Sequence, residues 1–323
     1  MVKLPIKKKS NMLTEQYQPG IHKLIHHIDH LKKIKNKEVC GPIHLSFWPN
    51  SDCQFRCEYC MGKNIKNRIG EISLEEYKSM VDVLVTYGLK ALEFSGAIGE
   101  PLLWKYFNAA VEYAHTKNLK MSLITNGIKL TDIPDSIISK LSWIRVSIQS
   151  LNHLKTIDLN KISKLTRISC SYIVSNDLEN MEEIKDIFYY VREKKLITRI
   201  AIQRPAEKQD IEILKVFINQ YGDPLFFSDK ELGKPLGCYI PWVRAAVDWN
   251  GNFLPCPSIQ LNYDCEGKIP EGFALCHIKD LEAWLINNPP HDLGYRCEYC
   301  NCGKEINDMI YNLQEGVEDV EFV

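Results

Sequence analysis

Apolar residues recur along this chain in two rhythms. From residue 42 onward, short stretches rich in Val, Ile, Leu and Phe fall at 42–48, 90–95, 119–124, 142–148, 166–173 and 196–203, and read as strands. Between them lie helical spacings near 73–88, 103–117, 133–140, 179–193 and 207–220. Ser73 followed three residues later by Glu76 is a capping box and marks one helix start. Strand–helix alternation predicts an α/β fold with a parallel sheet and right-handed crossovers. Six such units make a partial barrel rather than the closed eight-unit form. Ahead of them, Ile21, Leu24, Ile25, Ile28, Leu31 and Ile34 share one face of a predicted helix over 21–34. His22, His26 and His30 repeat on its polar side and read as a solvent-facing row, with no acid or cysteine to complete a metal site. After about residue 224 the rhythm changes. Ala245–Leu254 reads as a hairpin turning at Asn250-Gly251.

Composition narrows the picture. The chain has 323 residues, 45% of them hydrophobic, and a net charge of -1, which gives no reason to expect nucleic acid as a partner. The first forty residues carry nine Lys against three acids and read as a solvated leader. Lys7, Lys8 and Lys9 stand where a secretory signal would need an apolar run, and no stretch is long enough to span a bilayer. A cytoplasmic location is expected. There, twelve cysteines point to metal rather than to disulfides.

Cys53, Cys57 and Cys60 form C-x3-C-x2-C just after the first predicted strand. Three thiolates on one loop can hold three irons of a [4Fe–4S] cluster and leave the fourth open, whereas structural zinc wants four ligands. With the segments that follow, this motif resembles the radical S-adenosylmethionine (SAM) superfamily. The resemblance implies a TIM-type partial (β/α)6 barrel and places Tyr59 against the adenine. Ser95-Gly96-Ala97-Ile98-Gly99-Glu100-Pro101 is similar to the family's glycine-rich segment, one residue longer, which meets the methionyl group; Gly96, Gly99 and Glu100 are its candidates. Thr125, Asn126, Ser147 and Gln149, at the ends of the third and fourth strands, are candidates for the ribose and carboxylate shell. Arg204 is a candidate substrate contact.

Cys238 and Cys256, spaced C-x12-G-x4-C around Gly251, resemble the opening of the SPASM and twitch extensions of that superfamily. Cys297 and Cys300 would complete an auxiliary [4Fe–4S] cluster, and Cys302 is an alternative ligand; a zinc ribbon is the other reading of these thiols. Cys265 and Cys276 are candidate hydrogen-atom donors or packed thiols, and Cys40 and Cys170 read as packed thiols. The expected organisation is a basic segment over 1–41, a barrel over 42–228, a cluster-binding extension over 229–310 and an acidic tail over 311–323.

The resemblance implies reductive cleavage of SAM to a 5′-deoxyadenosyl radical, hydrogen abstraction from a substrate, and a flavodoxin or ferredoxin as electron donor. Oxidation or epimerisation of a small hydroxyl-rich molecule is the leading expectation. Crosslinking or epimerisation of a ribosomally made peptide is the alternative, and a non-catalytic iron–sulfur or zinc protein is the alternative of another class.

Overall fold

Six parallel strands follow one another in sequence order: β1 (His44–Phe47), β2 (Ala91–Phe94), β3 (Lys120–Thr125), β4 (Leu141–Ile148), β5 (Arg167–Val174) and β6 (Thr198–Ile202). They come from a computed structural model that describes residues 20–66, 68, 70–174, 181–203, 207–228, 233–294, 300 and 303–316. Leu45, Phe47, Leu92, Phe94, Ile144, Val146 and Ile148 point to one side of this sheet and are buried in a single apolar cluster. The helices covering them are α3 (Leu74–Thr86), α4 (Phe107–Thr116), α5 (Asp135–Ile138), α6 (Leu151–Lys155), α7 (Leu159–Leu165), α8 (Met181–Glu193) and α9 (Lys208–Tyr221). Side chains at alternate positions must then line the other, inner face.

The sheet is wider than six strands. A seventh, β7 (Leu225–Phe227), extends it in parallel beyond β6. At three residues it is too short to show an alternation. On the other edge β8 (Arg244–Val247) pairs in parallel with β1, and β9 (Asn252–Leu254) and β10 (Cys276–His277) follow antiparallel. Among the described residues the order is β10-β9-β8-β1-β2-β3-β4-β5-β6-β7 in one sheet. The chain is thus a partial α/β barrel whose hairpin does not form a separate layer. Its strand β8 completes the hydrogen bonding of β1.

Five expectations change. Helices α6 and α7 fill the connection between β4 and β5, where no helix was expected. Each is too short for a periodic stripe, and Ser150 and Asp158 cap their starts. The predicted helix over 21–34 is broken: a 3-10 turn at Ile25–His27 separates α1 (Ile21–Leu24) from α2 (Ile28–Lys35). Tighter winding rotates the stripe, so Ile25 and Ile28 are 50% and 60% exposed while Leu24 and Ile34 are buried. His30 leaves the solvent-facing row; its Nε2 donates to the Trp242 carbonyl at 2.8 Å. Residues 20–41 are therefore docked rather than solvated. Leu24, Ile34, Cys40 and Ile43 share a core with Tyr239, Trp242, Val243 and Ile310. Ile310 belongs to α10 (Lys304–Glu315), so the expected tail from 311 begins as helix; Gln314 donates to the Ile34 carbonyl at 2.7 Å. No described helix is long and apolar enough to cross a membrane.

Candidate active site

The cysteine loop leaves β1 at the C-terminal end of the sheet and is folded by its own turns. The Cys60 and Lys63 amides donate to the Cys57 and Cys60 carbonyls at 2.9 and 3.0 Å. Cys53, Cys57 and Cys60 are all half-buried. Burial raises the Cys53 and Cys57 thiols above the ordinary range, and neighbouring thiols add to this. No three described His, Cys, Asp or Glu side chains form a ready metal-binding group.

Two strand ends reach this loop. Past β4, the Gln149 side-chain oxygen accepts from the Cys57 thiol at 2.8 Å and from the Tyr59 hydroxyl at 3.0 Å. Past β3, the Asn126 side-chain amide donates to Gln54 Oε1 at 3.0 Å and lies 4.0 Å from Cys53 Sγ. Ser147 is half-buried on the inner face of β4. Phe55 packs edge-on against His153, 5.4 Å between centroids.

The segment after β2 is a tight backbone crossing. A Cβ on Gly96 would lie 1.7 Å from the Gly99 carbonyl oxygen, and one on Gly99 would lie 2.3 Å from the Asn50 carbonyl oxygen. Only glycine fits at either place. Glu100 is 3% exposed and its carboxylate points into the protein. It accepts from Thr125 Oγ1 at 2.5 Å, from the Asn126 amide at 2.8 Å and from the Leu102 amide at 3.2 Å. Burial raises this carboxyl, and those donors partly offset the rise. Glu100 and Thr125 therefore brace the ends of β2 and β3 against each other, leaving the backbone of 96–99 and the Asn126 side chain to face the loop.

The donor set fits a [4Fe–4S] cluster and SAM. Three thiols sit on one partly exposed loop, an aromatic side chain stands within it, and a backbone crossing that requires glycine at 96 and 99 lies beside it. The model of the Radical SAM superfamily matches residues 49–202. The chain carries a radical SAM domain. Proteins of this superfamily bind a [4Fe–4S] cluster and SAM. By sequence, the chain resembles the S-adenosylmethionine-dependent nucleotide dehydratase of Selenomonas ruminantium, 33% identical over 104 residues, covering 31% of this chain and 36% of that one. It also resembles the GTP 3′,8-cyclase of Helicobacter pylori, 24% identical over 175 residues, covering 52% of this chain and 50% of that one. The chain thus spans half or less of the length of these curated relatives. By structure it resembles Streptococcus suis SuiB bound to its precursor peptide SuiA, with a TM-score of 0.56 at 14% identity, covering 88% of this chain and 75% of that one. The structural likeness shows a shared fold.

The second cysteine set is only partly described. Cys238 lies before β8 and its amide donates to Asp292 Oδ1 at 2.8 Å. Cys256 follows β9. Gly251, at φ +80, lets the hairpin between them turn, where a side chain would meet His277. Asn307, 1% exposed, accepts from the Tyr239 amide at 2.7 Å and donates to Cys300 Sγ at 3.6 Å. That buried amide, which sequence reasoning missed, ties the Cys238 loop to Cys300. Cys297, Cys302 and Arg204 lie outside the described residues. The two loop thiols separate. The Cys265 carbonyl accepts from the Lys66 amide of the cysteine loop at 2.9 Å, and its thiol is exposed. Cys276, on β10, instead pairs with Phe253 of β9 and packs against the apolar cluster on the helix side of the sheet.

Deeper in the barrel the inner face is charged. On the side away from the helices stand Arg145 of β4, Arg167 of β5, Arg199 of β6 and Arg244 of β8, with Glu93 of β2 the acid among them. Arg244 pairs with Glu93 at 3.3 Å, and Ser46 donates to the same carboxylate at 3.1 Å. Burial alone would raise Glu93, but Arg244, His44 and Arg145 hold it below the usual range. A cavity of about 360 Å³ opens here, lined by Lys23, Trp143, Arg145, Arg167, Ser169, Cys170, Arg199 and Phe226. None of these basic residues was singled out from the sequence. The available signal was an arginine within each of β4, β5, β6 and β8, where a buried parallel strand would be apolar.

Proposed function

We propose that this chain is a radical SAM enzyme that removes a hydrogen atom from a carbon of a small molecule held inside the barrel, leading to oxidation or epimerisation. Cys53, Cys57 and Cys60 hold the [4Fe–4S] cluster, and Tyr59, Gly96, Gly99, Asn126, Ser147 and Gln149 surround SAM. When both are bound they supply a 5′-deoxyadenosyl radical able to attack an unactivated C–H bond. The chain's own residues do the positioning. Gln149 orients Tyr59 and the Cys57 position through its side-chain oxygen. Glu100 fixes the strand ends that carry Asn126. The extension over 229–310, with Cys238, Cys256, Cys297 and Cys300, holds an auxiliary cluster that accepts or relays an electron in an oxidation. In an epimerisation, Cys265 is the thiol left beside the cysteine loop.

The observation that carries this reading is the convergence of Gln149 and Asn126, from two strand ends, on the cysteine loop. The volume of the inner cavity suits a small molecule better than a folded or extended peptide. A flavodoxin or ferredoxin is the expected electron donor. Anaerobic reconstitution tests the assignment. Wild-type protein should hold about eight irons for two cubane clusters and release 5′-deoxyadenosine from SAM with dithionite. Cys57→Ala should fall to about four irons and release none. No 5′-deoxyadenosine from the fully loaded wild type would make it a binding protein instead.

A further inference from the structure

We propose that the inner cavity of the barrel binds the phosphate of a phosphorylated small-molecule substrate, and so selects the molecule presented to the radical site. This rests on the radical SAM reading and names its substrate class. The argument begins from charge. Arg145, Arg167 and Arg199, from three adjacent strands, line one cavity together with Lys23. Lys23 comes from α1, so the N-terminal segment closes the bottom of the barrel over this cluster. Among the described residues no carboxylate lies within ion-pair distance of Arg145 or Arg199. Glu93, the nearby acid, is in contact with Arg244 and Ser46 and acts on Arg145 only from beyond ion-pair distance.

Grouping cations in a partly dehydrated space is unfavourable unless an anion compensates them. The guanidinium groups register that cost: burial pulls Arg199 down to about 10, with Arg145 adding to it, and burial lowers Arg145 as well. Arginine offers paired N–H donors in the plane that phosphate oxygens accept. Trp143, whose ring lies 5.4 Å from the Arg145 guanidinium, and Phe226 give the cavity an apolar wall that excludes water and strengthens such contacts. Ser169 adds a hydroxyl, 4% exposed.

The position along the strand supplies the second half of the argument. Arg145 and Gln149 stand on the same side of one chain, four residues apart, or about 13 Å. The strand therefore sets an anion at Arg145 about one sugar-sized body away from the side chains that meet the cysteine loop. An anion at one end and a reacting carbon at the other is the layout of a nucleotide or a sugar phosphate. Both share the phosphate chemistry.

Binding to the reconstituted full-length protein, measured by calorimetry, tests this without turnover. Inorganic pyrophosphate is the first probe, followed by the four nucleoside triphosphates and by hexose 6-phosphate, each beside its unphosphorylated parent. The expected result is binding of the phosphorylated members, at least tenfold weaker for their parents, and weakening with added salt. The tighter of the two organic classes names the source. Arg199→Gln and Arg145→Gln should each weaken pyrophosphate at least tenfold, and Arg199→Lys, which keeps the charge but not the paired donors, should weaken it less than Arg199→Gln. Wild-type protein that binds none of the phosphates, or binds parents as tightly, overturns the proposal whatever the variants do. 5′-Deoxyadenosine release from wild type reports the radical reading separately. SAM cleavage without phosphate binding removes only the cavity's assignment, and phosphate binding without SAM cleavage removes the proposed function.

Discussion

His44 stands at the start of β1 opposite Arg244, with Glu93 on the neighbouring strand. Burial, then Arg244, pushes its pKa from 6.5 down to about 4. The unfolded chain takes up a proton between those values that the folded chain refuses. Stability is therefore full above pH 6.5 and falls as pH drops through the window, by at most about 3 kcal/mol. His44→Gln should flatten the loss between pH 6.5 and 4.5 in urea unfolding; a wild-type slope in the variant would refute the account. The cysteine loop was legible at this scale because its chemistry is local: three thiols and an aromatic within eight residues, Cys53 to Cys60. Glu100 was legible only as part of a motif. Its contacts with Thr125 and the Asn126 amide depend on a strand that arrives 25 residues later.

At the scale of elements, α3 shows local and global preferences in agreement. Ser73 Oγ accepts from the Glu76 amide at 3.2 Å and Glu76 returns a bond to the Ser73 amide at 3.2 Å, the predicted capping box. Ser73→Ala should cost about 1 kcal/mol, read as a lower denaturation midpoint with an unchanged slope; a midpoint within error of wild type would show that packing alone fixes the helix start. The hairpin β8–β9 was likewise legible, because Asn250-Gly251 is a local turn signal. Asp248 holds it, accepting from the Asn250 and Asn252 amides at 2.9 Å each. Helices α6 and α7, the strand β7 and the break in α1–α2 were not legible. Each is shorter than the window in which a period can be told from chance, and packing decides it.

At the scale of the molecule, the extension and the barrel are one structure. Strand β8 pairs with β1 along its whole length, and Trp48, Ala97 and Ile98 of the barrel share a cluster with Ala246, Leu254 and Ile259 of the extension. Tyr239, Trp242 and Val243 also complete the core under residues 20–43. A fragment ending at 228 would leave β1 as a bare edge and uncover both clusters. It should bind a hydrophobic dye and aggregate in size-exclusion chromatography. A soluble monomer with a cooperative melt would mean that the barrel stands without its extension.

The sequence by itself determined what is written in near neighbours: the order of the six barrel strands and the longer helices between them, the capped start of α3, the thiol loop and the glycine crossing. Spacing along a chain carries that information, since hydrogen bonds, turns and chelating loops act over a few residues. Only the tertiary structure decided that four arginines from separate strands share one interior, that Lys23 closes it and that Asn307 joins two distant cysteine segments. Those groups are dozens to hundreds of residues apart, and nothing but the curvature and register of the sheet brings their charges into one low-dielectric space.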